Sequence, residues 1–144
     1  MDITDEAEAE DEDEGAAAAA EELVGAALRI LTACSSRAEG ATAICTGGGL
    51  PSLVLLLERE DPTLRGNAAL CIAQCARDER CLAVLAAQPN LVALLLAMAH
   101  DGKGQGQKNA AIALGRLAKN AHCLQAIRDQ HGIEILARAM KMGP

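Results

Sequence analysis

The 144-residue sequence contains no phenylalanine, tyrosine or tryptophan. Missing with them are the side chains that bury the most area in a core and the rings on which unpaired bases stack. Long apolar runs are also lacking. The longest strongly apolar stretch, Leu91 to Ala99, has nine residues, against the roughly 20 that carry a helix across a bilayer. The N-terminus has neither the basic start of a signal peptide nor the arginines of a transit peptide. There is no Cys-x-x-Cys knuckle of the kind zinc sites use. No serine lies in a nucleophile elbow, and no two carboxylates share an apolar stretch that would split their acidities. His100, His122 and His131 share no helical spacing of three or four. The sequence therefore predicts no catalytic centre, no cofactor or metal, and no membrane insertion.

What is present is alanine, leucine, isoleucine, valine, cysteine and methionine, mostly helix formers and small core residues. An all-α fold follows, with helices packed closely because no contact buries much area. The formal charge of −7 is concentrated at one end. Nine acids and no base occupy residues 1–14, from Asp2 to Glu14, and the rest of the chain carries 13 bases and 11 acids. The body is nearly neutral, with no basic stripe for nucleic acid. An acidic run of this kind predicts a disordered tail over residues 1–15. Of the six cysteines, Cys71 and Cys75 share a helical face and Cys81 repeats as Cys123. Buried structural thiols are expected. Free thiols point to a reducing compartment, the cytoplasm first and the nucleus as the alternative.

A period of 42 residues organises the chain. Gly25-Ala26-Ala27-Leu28-Arg29-Ile30 aligns with Asn67-Ala68-Ala69-Leu70-Cys71-Ile72 and with Asn109-Ala110-Ala111-Ile112-Ala113-Leu114. Ser36, Asp78 and Asn120 fall in one phase and suit helix N-caps. Pro51 to Leu57 parallels Pro89 to Leu95 at an offset of 38. Four extra residues must then lie later, in the Asp101–Gly106 connection. The spacing predicts first helices at 36–45, 78–87 and 120–129. Second helices are expected at 51–59, 89–100 and 132–142, and third helices at 21–34, 62–76 and 105–118. Residues 16–144 thus divide into a lone third helix (21–34), repeats at 36–76 and 78–118, and a partial repeat at 120–142.

The segment Ile44-Cys45-Thr46-Gly47-Gly48-Gly49-Leu50-Pro51-Ser52-Leu53-Val54-Leu55-Leu56-Leu57 resembles the armadillo repeat, as does the third-helix pattern from Ala68-Ala69 to Ala76. The similarity covers about residues 21 to 142. It implies a right-handed α-superhelix whose third helices line a concave, partner-binding surface. Armadillo proteins that grip extended peptides carry a tryptophan and an asparagine on each third helix. Here the matching positions hold Leu28, Leu70 and Ile112, then Thr32, Gln74 and Arg116, which argues against recognition of nuclear signals. The stack is short, with two full units and two partial ones. A fragment or splice form of a larger repeat protein is one expectation, and the armadillo end of a mixed tetratricopeptide–armadillo protein is a candidate parent.

Asn67, Gln74, Asn109 and Arg116 are the candidate partner-binding residues. Each helix carries two of them seven apart, hence on one face. The 42-residue repeat would set them in a row of amide and guanidinium donors suited to a peptide backbone or carboxylates. Lys108 and Lys119 beside Arg116 would favour an acidic protein or peptide. The same four also fit plain solvated positions on amphipathic helices, and the sequence leaves both readings open. Gly102 to Lys108 lacks the Gly-Lys-Ser/Thr ending and the preceding strand of a phosphate loop. It reads as a flexible insertion able to serve as a binding loop. The expected function is a non-catalytic interaction scaffold. The alternative is a structural piece that completes a larger superhelix and binds nothing itself. Self-association through exposed end helices is a further expectation.

Overall fold

The computed structural model describes residues 3–142. Those residues form the helices α1 (Ile3–Ser35), α2 (Ala38–Thr46), α3 (Leu50–Leu56), α4 (Pro62–Cys75), α5 (Glu79–Ala86), α6 (Leu91–Asp101), α7 (Gly104–Leu117), α8 (Ala121–Asp129) and α9 (Gly132–Met142), with no strand among the described residues. The helix starts have local causes. Asp61 caps α4 by accepting from the Thr63 N–H at 2.8 Å, with Pro62 following at the position where no N–H is needed. Asp78 caps α5 by accepting from Arg80 N–H at 2.9 Å and Cys81 N–H at 3.0 Å. Asn120 caps α8 through the Cys123 N–H at 3.1 Å.

Three expectations are corrected. Ser36 does not cap α2. Its hydroxyl donates back to the Ala33 carbonyl at 2.7 Å, and Arg37 takes the cap position without a side-chain bond. Ser36 therefore finishes the last turn of α1 rather than starting a new helix. The acidic segment is helical rather than disordered, since α1 runs unbroken from Ile3. Glutamate and alanine are strong helix formers, and carboxylates near a helix N-terminus complement its dipole. Residues 6–20 are exposed throughout. The loop expected across 101–106 shrinks to Gly102 and Lys103, because Gly104, at a φ of 62°, already begins α7.

The helices stack as a solenoid. The C-terminal half of α1 packs on α4, and α4 packs on α7 along its length. Around this spine α2 and α3 cover α4, while α6 covers α7 and itself carries α8 and α9. The short α5 meets α6 at 92°. Small residues make the close spine possible. Ala68, Ala69, Ala73, Ala110 and Ala113 are fully buried, and a Cβ placed on Gly66 would touch the Gly106 Cα at 3.5 Å. Leucines from the second helices fill the space behind, among them Leu53, Leu91 and Leu95. Each fully buried leucine contributes about 1.5–3 kcal/mol.

The Asp78 cap carries a pH dependence. Backbone hydrogen bonds, chiefly from Cys81, hold its carboxyl below the usual carboxylate range. A depressed folded pKa means the stabilisation is complete above the unfolded value and is lost as pH falls through the folded one. Asp78→Asn should keep the cap while flattening that part of the acid dependence, as read from thermal melts across the acidic range. Melting curves of variant and wild type that shift in parallel would contradict this.

Candidate partner-binding face

The polar residues of the third helices face their neighbours in the stack. Asn109, only 3 % exposed, donates from Nδ2 to the Gly66 carbonyl of α4 at 3.0 Å, and its Oδ1 accepts from Gln105 at 2.9 Å. Arg116 donates to the Ala73 carbonyl, again on α4. Burial, with Arg77 nearby, pulls its guanidinium below the usual value. Gln74 accepts from the Ser35 hydroxyl of α1. Thr32 donates to Leu28 at 2.7 Å and reaches the Asn67 carbonyl at 3.5 Å. The four candidate residues are thus not an open row of donors. Gln74, Asn109 and Arg116 each tie one third helix to the one before it. Thr32, Gln74 and Arg116, which share one phase of the repeat, all spend polar atoms on the stack.

Asn67 differs. It is half-buried on α4 and lines a cleft of about 570 Å³. The cleft lies between the N-terminal ends of α4 and α7 and the C-terminal end of α6. Its apolar part is Leu57, Leu94, Ala97 and Met98. Its polar part includes Arg65, Lys103 and Gln105, with Gln107 fixed by donating to the Ala99 carbonyl at 2.8 Å. Asp101 is the carboxylate on this lining, and His100 Nδ1 lies 2.5 Å from it. The N-cap of α7 is Lys103, which supplies no side-chain bond. The first N–H groups of that helix therefore remain as donors at the cleft. The sequence singled out Asn67 and the glycine-rich segment. It did not single out Arg65 or the α6 leucine, which come from other elements.

Most of the thiols lie inside the stack. Cys71, Cys75, Cys81 and Cys123 are buried, Cys45 is half-buried and Cys34 is exposed. Burial pushes Cys81 up to about 12 and raises Cys123. The hydrogen bond between Cys71 and Cys75 raises Cys75, and burial adds to the rise. No group of three or more His, Cys, Asp or Glu side chains among the described residues is placed to hold a metal ion.

Aligned over 97 positions that cover 62 % of the chain, it is 42 % identical to mouse tetratricopeptide repeat protein 12. Over 94 positions that cover 64 % of the chain, it is 39 % identical to the human protein of the same name. This chain is a helical repeat protein. It spans 13 % of the length of each of these relatives. No family model and no solved structure matches it.

Proposed function

We propose that the chain is a non-catalytic protein-interaction scaffold of the armadillo type, and that its cleft between α4 and α7 takes a short acidic segment of a partner protein. The observation that carries this reading is the cleft itself. Two cationic side chains, Arg65 and Lys103, and the uncapped start of α7 stand over an apolar floor. An anion is favoured at such a helix start, and an aliphatic anchor gains by burial on the floor. Repeat scaffolds bind along surfaces of this kind, and the relatives' name places them among helical repeat proteins. The stacked third helices and the 92° turn between α5 and α6 support the armadillo arrangement.

The test is a set of labelled peptides of equal length, each with one leucine, in acidic, neutral and basic versions. Anisotropy titrations should rank the acidic peptide first, with affinity that weakens as salt rises. Arg65→Glu with Lys103→Glu should cost tenfold or more. Preference for the basic peptide, or indifference to the double change, would overturn the reading. A second reading, a structural piece of a longer superhelix, is favoured by the 13 % span of the relatives.

A further inference from the structure

Within the described residues the solenoid starts on a third helix and finishes on a first-and-second pair. The C-terminal half of α1 corresponds to α4 and α7. The pair α8–α9 corresponds to α2–α3 and α5–α6.

Residues in one phase of the repeat differ in exposure. Ile30 is 64 % exposed, while Ile72 and Leu114 in the same phase are 0 % exposed under their own second helices. Leu23, Ala27, Ile30 and Cys34 follow at spacings of four, three and four, so they form one apolar stripe on α1. All four are exposed, whereas the matching Ala69 and Ala76 are buried. At the other end, Ile133, Leu136 and Met140 repeat the three-and-four spacing of Leu50, Leu53 and Leu57. Leu50, Leu53 and Leu57 are buried against α4, whereas Ile133 and Met140 are exposed and only Leu136 packs partly on the core. Met140 is 82 % exposed, against 3 % for Leu57 and 1 % for Ala99, which lies as far along α6 as Met140 does along α9. Ile112 on α7 is also exposed, although Leu28 in its phase is covered by the following third helix.

We infer that a second copy of this chain covers these faces head to tail. The α1 stripe of one copy takes the third-helix place behind α8 and α9 of the other, and stacks on α7 at Ile112. Charge favours this occupant. Near its end α9 carries Arg138 and Lys141. The incoming helix brings Glu22, beside Glu21, which pairs with Arg59 of its own chain, and before them the acidic run to Glu14. Such a contact joins two different surfaces, so it propagates or closes a ring rather than stopping at a symmetric pair.

Sedimentation velocity on the full chain tests this. The wild type should gain mass with concentration, and less so in high salt. Ile30→Asp removes one face and Met140→Asp the other. Both positions are exposed, so each variant should keep wild-type helicity and stay monomeric. Mixing the two variants should restore one intact contact and give a one-to-one dimer that grows no further. A wild type that stays monomeric at every concentration would overturn the inference. So would an Ile30→Asp variant that still self-associates, or a mixture that stays monomeric.

Discussion

Gly40→Ala should loosen the front of the solenoid more than any other single methyl group would. A Cβ at residue 40 would lie 1.9 Å from the Cys34 carbonyl oxygen and 2.5 Å from its carbon. Both are backbone atoms in the last turn of α1, and no flexible side chain can yield to relieve the clash. The later repeats carry Leu82 and Leu124 in this phase without conflict. Their first helices start from the Asp78 and Asn120 caps. In contrast, α2 starts from Arg37 without a side-chain cap and lies tight against α1. The alanine must push α1 and α2 apart, which also disturbs Leu28 and Ser35 at the α1–α4 contact. A loss of about 2–4 kcal/mol is expected, in the upper part of the range for single changes. Amide exchange should accelerate in α1 and α2 first, with α6 and α7 protected longer. A variant that melts with the wild type and keeps its α1 amides protected would contradict this contact.

The second large effect separates two apolar residues of second helices. Leu95 is completely buried where α6 meets α7, whereas Met140, near the end of α9, is exposed. Leu95→Ala removes buried methyl groups and leaves a cavity between two rigid helices, at a cost of about 2–5 kcal/mol. Met140→Ala in dilute solution should change stability by less than about 0.5 kcal/mol, as exposed substitutions do. Chemical denaturation of both variants measures the contrast. Equal losses would mean that α9 is covered in the monomer.

Much of this fold was legible. Asp61-Pro62, Asp78 and Asn120 mark helix starts because each oxygen has a defined donor two or three residues later. The Ala-Ala pairs mark the spine because only small residues let third helices approach so closely. Ser36 misled, since a serine hydroxyl can equally return to the carbonyl three residues back. The acidic segment misled because charge alone argues for disorder, while its glutamates and alanines are good helix formers. The candidate site was legible only in part. Helical phase places Gln74, Asn109 and Arg116 on one face, but a residue turned to a groove and one turned to the next helix share that phase. The approach of α4 and α7 at Gly66 and Gly106 decides between them, and periodicity does not encode it. Arg65, Lys103 and Leu94 meet only because three helix ends converge.

The central claim is that the third-helix polar residues bind the stack while the cleft at the helix starts binds the partner. One comparison tests it: thermal stability and acidic-peptide affinity, measured side by side in two double variants. Gln74→Ala with Arg116→Ala should lower stability by about 1–3 kcal/mol, as lost inter-helix hydrogen bonds do, and leave peptide affinity within twofold of wild type. Arg65→Glu with Lys103→Glu should leave stability nearly unchanged and abolish binding. If the first variant stays as stable as wild type and loses the peptide, the polar row is the binding site and the account is wrong.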